Sequence, residues 1–240
     1  MLKPLAEGLW SYEFDQFMPG GMHFPGRMTV ARLADGGLWL HSPGPVTDAV
    51  AESLDALGPV KHIVAPNRLH HLHLPSATER FPEAAVHGAP GLAAKRKDVS
   101  FDAELGGVAP EAWRGQFDQL VIEGNPLLNE VVFLHRPSRT LIVADLAFNI
   151  QESKGWVAPV VLRMVGAWRK PAQSRVWRLT TRDRAAAGGS VRSILDWDFD
   201  RLVMAHGTPI EAGAREQLAP LLGWMVKGLP PRLTGGADQG

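Results

Sequence analysis

Three histidines, His70, His71 and His73, stand within four positions of a 240-residue chain. Neutral imidazole is the commonest protein metal ligand. The three follow a short apolar run, Lys61–Ala65, whose Ile63 and Val64 read as a buried strand stopped by Pro66 and Asn67. Loops at strand ends are where α/β proteins place chemistry. Taken alone, the cluster has two readings: ligands for a metal, or a helix cap and solvated side chains. Asp145 ends the apolar run Leu141–Ala144, and His206 follows Arg201–Ala205. A carboxylate at the end of an apolar strand is costly to bury unless it is paired or metal-bound. By itself Asp145 reads equally as a helix cap or a salt-bridged strand end. There is no cysteine, which excludes a thiolate zinc site, a cysteine nucleophile and any disulfide.

The elements that must position these residues alternate along the chain. Gly8–Phe14, Arg27–Leu33 and Leu38–His41 read as strands, the last two joined by a turn at Ala34–Gly37. Asp15–Gly26, with Met18, Met22, His23 and Phe24 among Pro and Gly, reads as a loop that either covers a pocket or makes a surface excursion. Val46–Leu57 has helical spacing. Ser76–Phe81 reads as a helix capped by Ser76, with Glu79 at the capping-box position. Ala85–His87, Phe117–Ile122, and the pair Glu130–Leu134 and Thr140–Ala144 read as strands. Val157–Trp168, Gly189–Trp197 and Ala212–Val226 read as helices. Trp156, Trp168 and Trp177, interleaved with arginines, read as a cleft roof, a subunit contact or an ordinary surface helix with snorkelling arginines.

At 45% hydrophobic and 21% charged, the chain suits one globular domain over residues 1–227, followed by a Pro/Gly-rich tail over 228–240. Twenty-five basic residues balance 25 acidic ones, which argues against a nucleic-acid or membrane-surface partner. Met1–Trp10 lacks a signal-peptide core, and a cytoplasmic location is the expectation. No P-loop, helix-turn-helix or dinucleotide fingerprint is present.

Three stretches carry a resemblance. Lys61–Gly91 (a strand, the histidines, a helix and ERFPEAAVHGAPG), EVVFLHRPSRTLIVADLAF (Glu130–Phe148) and FDRLVMAHGTPI (Phe199–Ile210) resemble, in order and spacing, the metallo-β-lactamase-like hydrolases. The resemblance covers roughly residues 8–226 and implies an α/β fold, a four-layer αββα sandwich with the site at one rim. That family's first motif, His-x-His-x-Asp-His, laid over Pro66–His71 puts Pro66 and Arg68 in place of two first-metal histidines. The third first-metal histidine would fall near Pro126. The second-metal positions are kept in kind: His70 for the aspartate, His71 for the histidine, Asp145 for the bridging aspartate and His206 for the last histidine.

The resemblance therefore implies a depleted centre, one divalent ion (zinc or iron) held by His70, His71, Asp145 and His206. A competing set uses His71 and His73 with Glu130. Arg68 would bind an anionic group of the substrate in the first metal's place, or pair with Asp145 in an inert site. Two functions follow: a hydrolase of an ester, lactone, thioester or phosphoester acting through Asp145 and Arg68 on a small molecule, or a non-catalytic binding or assembly protein.

Overall fold

The computed structural model describes residues 1–18 and 20–230; most of the expected tail, residues 231–240, lies outside the described residues. Seven strands make one sheet: β1 (Lys3–Ala6), β2 (Leu9–Met18), β3 (Met22–Arg32), β4 (Leu38–His41), β5 (Val60–Ala65), β6 (Ala85–Gly88) and β7 (Ala103–Glu104), side by side in chain order. The pairs from β1 to β4 are antiparallel, and those from β4 to β7 parallel. Four strands make the second sheet: β8 (Phe117–Val121), β9 (Val131–His135), β10 (Thr140–Val143) and β11 (Arg201–Met204), ordered β11-β10-β9-β8. Only β10 and β11 are parallel there. The helices are α1 (Asp48–Asp55), α2 (Leu74–Arg80), α3 (Leu92–Lys95), α4 (Glu111–Arg114), α5 (Val157–Met164), α6 (Arg175–Thr180), α7 (Arg184–Asp196) and α8 (Ala214–Val226).

Strand alternation sorts the core into layers, because successive side chains point to opposite faces. On β5, Ile63 and Ala65 pack with Val50, Leu54 and Leu74 of α1 and α2, while Val64 faces the other sheet. On β10, Leu141 and Val143 pack with Val191 and Leu222 of α7 and α8, while Ile142 meets Trp39, Phe117 and Phe133 between the sheets. The result is helices, sheet, sheet, helices, the αββα arrangement that the resemblance implies.

Three local expectations are corrected. Asp15–Gly26 is not a loop: β2 and β3 run in register from Leu9↔Ala31 to Met18↔Met22. Of β3, β4 pairs with Thr29–Arg32 alone, so the far half of the hairpin leaves the sheet as a two-stranded ribbon. Pro25 is tolerated there because it has no third strand to donate to. Ser76 is not the cap of α2. That helix starts one turn earlier, with His73 at the cap position and Pro75 in its first turn, and Ser76 Oγ donates to the His73 carbonyl (3.1 Å). α7 starts at Arg184, capped by Asp183, whose Oδ1 accepts from Ala186 N–H (3.0 Å). Gly189, the expected start, lies inside this helix, and the neighbouring Gly188 faces α8: a Cβ there would lie 2.6 Å from the Met225 carbonyl oxygen.

Candidate metal centre

β4, β5, β10 and β11 run parallel or feed a common rim, and their C-terminal ends meet. From β5 the chain passes through Pro66 into a turn built on Asn67, which is fully buried. Asn67 Oδ1 accepts the backbone N–H of Leu69 (2.8 Å) and of His70 (2.9 Å). Its Nδ2 donates to Asp145 Oδ2 (2.8 Å) and Glu130 Oε2 (3.3 Å). One side chain thus fixes the histidine turn and joins it to the end of β10. At the end of β4, Ser42 has left-handed backbone (φ 56°), and its hydroxyl bonds Nδ1 of His70. At the end of β11, His206 Nδ1 donates to the Pro25 carbonyl (2.8 Å) of the overhanging ribbon. The chain then turns through Gly207 (φ 95°), where a Cβ would lie 2.2 Å from the Asn149 carbonyl oxygen, so no other residue fits.

These constraints bring His70, Asp145 and His206 together. Nε2 of His70 lies 3.2 Å from Nε2 of His206 and 3.4 Å from Asp145 Oδ2, and Nε2 of His206 lies 3.4 Å from Asp145 Oδ1. Among the described residues, this is the one group of three or more His, Asp or Glu whose ligand atoms all lie within 4.8 Å. Ligands about 2.0–2.1 Å from a tetrahedral ion sit about 3.3–3.4 Å apart, close to each of these three contacts, although the two rings face different oxygens of the Asp145 carboxylate. The Pro25 carbonyl can only accept, which places the proton of a neutral His206 on Nδ1 and leaves the Nε2 lone pair facing the cluster. Hydrogen bonding of the far ring nitrogen is what orients metal-ligating histidines. Phe148 stacks on the His206 ring and Phe24 meets it edge-on, at 5.5 and 4.4 Å between centroids.

Burial works against charge on every member. On Asp145, burial raises the pKa, but His70 and His206 outweigh it and hold the carboxyl far below the ordinary carboxylate range. On His70, burial is outweighed by the Asp145 charge, so its pKa is raised. On His206, burial wins and the pKa is lowered.

The other expected residues go elsewhere. His71 Nδ1 lies 2.6 Å from Nη1 of Arg96, and burial followed by Lys95 and Arg96 lowers its pKa to about 4. His71 is outside the three-residue group. His73 Nε2 bonds Gln16 Oε1 (2.8 Å). Glu130, fully buried, accepts the backbone N–H groups of Ala144, Asp145 and Leu146 (2.9, 2.9 and 3.1 Å) and so shapes the turn that presents Asp145. Burial, then the Asp145 charge, raises its pKa to about 7 against those three donors. Arg68 donates from Nη1 to the Pro126 carbonyl (2.7 Å), and no ion pair joins it to Asp145. Two of the three positions where the resemblance puts first-metal histidines, Arg68 and Pro126, are therefore bonded to each other.

The three tryptophans have different surroundings, and Trp177 lines the cavity above the centre. Trp177 is buried, and its Nε1 donates to the Asp145 carbonyl (2.7 Å). The Arg163 and Arg169 guanidinium groups each lie 5.3 Å from the Trp168 ring centroid, and Trp156 is exposed. Asn67 and Ser42 are the residues that sequence reasoning missed. The signal was present, since each is the first or second polar residue past a strand end. The ribbon covers the site: Met22 and Phe24 of β3, with Val161, Leu162 and Val165 near α5, wall a cavity of about 350 Å³ that has His70, Asp145 and His206 at its base.

A family model described as a domain of unknown function (DUF4336) matches residues 6–166. No curated protein sequence matches the chain. Among solved structures, it is similar to a metallo-β-lactamase from Pontibacter korlensis (15% identity over 95% of this chain and 99% of that one, TM-score 0.64). It is also similar to the metallo-β-lactamase FIM-1 from Pseudomonas aeruginosa in a mono-zinc form (13% identity, 95% and 96%, TM-score 0.60). A metal-soaked Flv1 flavodiiron core from Synechocystis sp. PCC6803 matches at 11% identity over 94% of this chain but 60% of its own, TM-score 0.66. At these identities the likeness shows the fold: this chain has the metallo-β-lactamase fold.

Proposed function

Because this chain belongs to the DUF4336 family, domains of unknown function, its activity has to be read from the site, and we propose that it is a one-metal hydrolase acting on a small-molecule ester, lactone, thioester or phosphoester. His70, Asp145 and His206 would hold one divalent ion, zinc or iron. The observation that carries this is the donor set: two ring Nε2 atoms and a carboxylate at mutual distances of 3.2–3.4 Å, with the far nitrogens of both rings bonded to Ser42 and Pro25. Three protein ligands leave a position open, the arrangement of catalytic rather than structural sites. When bound, such an ion supplies Lewis acidity that polarises a carbonyl or phosphoryl oxygen and lowers the pKa of water.

The chain's own residues do the rest. Asn67 and Glu130 hold the His70 and Asp145 backbones in place. Phe24 and Phe148 keep water from the His206 ring, and the ribbon closes the cavity over the reacting centre. Arg68, bonded to Pro126, has no part in this scheme.

One observation favours a non-catalytic reading: Asp145 is already balanced by both histidines and by Asn67, so a protonated His70 could fill the site without metal. Elemental analysis of the purified chain separates the two. About one equivalent of metal per chain, lost in His206→Ala while the circular dichroism spectrum is kept, supports the hydrolase. No metal after expression in zinc- and iron-supplemented medium favours the protonated site, and two equivalents would mean that Arg68 and Pro126 do not close the first position.

A further inference from the structure

The cavity above His70, Asp145 and His206 has walls that the three-residue centre does not need. They are mostly apolar, with Met22 and Phe24 from the ribbon, Phe148 from the loop after β10, and Val161, Leu162 and Val165, beside a few polar residues such as Gln16 and Ser174. The apolar character continues out of the mouth, where Met18, Leu69 and Leu72 line the cavity and are 39%, 45% and 53% exposed. Side chains of this size at a cavity mouth lose water contact only when something apolar enters. Arg27 is the one lysine or arginine among the lining residues, and it is committed: Nη1 donates to the Met204 carbonyl (2.8 Å) and Nη2 to Glu13 Oε1 (2.7 Å). Away from the centre itself, a carboxylate or phosphate entering this space would meet no uncommitted lysine or arginine in the walls.

We propose that the cavity takes a neutral, straight aliphatic acyl chain whose carbonyl end reaches His70, Asp145 and His206. Resting on the hydrolase reading for its polar head, this narrows the substrate to an ester or thioester of an aliphatic acid. Water adds across the acyl bond: its oxygen joins the acyl carbon, the acyl C–O or C–S bond breaks, and the leaving oxygen or sulfur takes up a proton. A methylene occupies about the volume of a water, about 30 Å³. A cavity of about 350 Å³ therefore holds roughly a dozen non-hydrogen atoms, enough for a medium-length chain and its carbonyl.

The test is calorimetric titration of the full chain with straight-chain 1-alkanols from butanol to octanol, which need no turnover. Each added methylene should tighten Kd about three- to fourfold until the cavity is full. Val165→Glu, which sets a carboxylate in a half-buried wall, should weaken octanol binding at least tenfold, with circular dichroism to confirm folding. Met18→Glu at the exposed rim replaces it if that variant does not fold, and should weaken octanol binding by a smaller factor, about threefold or more. A Kd that does not change with chain length, or octanol affinity unchanged in the folded variant, overturns the proposal. Hydrolysis of 4-nitrophenyl butanoate, octanoate and phosphate is followed on the same samples with their metal content. Octanoate preferred over butanoate, with phosphate untouched, supports the proposal, and phosphate preferred overturns it. Chain-length-dependent alkanol binding in metal-free, inactive protein removes the hydrolase reading and keeps the chain pocket; a flat series in metal-loaded, active protein does the reverse.

Discussion

Asn67→Asp is a sharp probe of the centre, because it changes one atom in the middle of the network. The new carboxyl keeps the acceptor for the Leu69 and His70 N–H groups. It replaces the Nδ2 donor, which lies 2.8 Å from Asp145 Oδ2 and 3.3 Å from Glu130 Oε2, by an oxygen. At an effective dielectric of about 20, like charges at those separations repel by about 5–6 kcal/mol each. The chain can avoid this by protonating the new carboxyl, whose O–H then donates to Asp145 as the amide did. Holding an acid of ordinary pKa about 3.9 neutral costs about 1.4 kcal/mol per pH unit above that value. The loss of unfolding free energy is therefore capped at about 5 kcal/mol at pH 7.5 and about 1.5 kcal/mol at pH 5. Urea unfolding of parent and variant, in chelator, at both pH values measures the difference. A loss that is equal at the two pH values, or below about 1 kcal/mol at pH 7.5, would show that Asn67, Asp145 and Glu130 do not converge as described.

Stability should also fall on acidification. Burial lowers the pKa of His41 to about 3 and of His87 and His135 to about 4, from 6.5. Above 6.5 both states are neutral; below it the unfolded chain takes protons that the folded chain refuses, at up to about 1.4 kcal/mol per pH unit for each histidine. Glu130, raised from 4.5 to about 7, runs the other way for one proton. From these four groups alone the fall between pH 6.5 and 4.5 is about 3 kcal/mol per pH unit at its steepest, to which the lowered pKa of His71 adds, and it is read as urea midpoint against pH. Gly207→Ala should lower the melting temperature and abolish metal uptake together, since its Cβ would strike the Asn149 carbonyl beside His206. Trp177→Phe orphans the Asp145 carbonyl and should cost about 1–3 kcal/mol by urea unfolding, whereas Trp156→Ala, at 79% exposure, should stay within about 0.5 kcal/mol of the parent.

What the sequence determined by itself was set by local rules. Strand periodicity and strand-stopping residues placed β5, β9, β10 and β11 within a residue or two, so the positions of His70, Asp145 and His206 at strand ends followed directly. The αββα layers were implied by the resemblance of those landmarks to the metallo-β-lactamase-like hydrolases. What the tertiary structure decided was direction. His70 and His71 are adjacent, and nothing local says which ring turns inward. Asn67 captures the His70 N–H from β5, while Arg96, at the end of α3, captures the His71 ring. Glu130 enters the sequence reading only as the extra carboxylate of a competing ligand set, yet the turn after β10 leaves three N–H groups that only a buried acceptor can satisfy. Asp15–Gly26 reads as a loop from its Pro and Gly content, but pairing with a distant partner outweighs local propensity, and the ribbon it forms supplies the Pro25 carbonyl that orients His206. Residue type and spacing fix which groups can do chemistry; which of them face one another depends on contacts between residues such as Pro25 and His206, far apart in the chain, that no local pattern encodes.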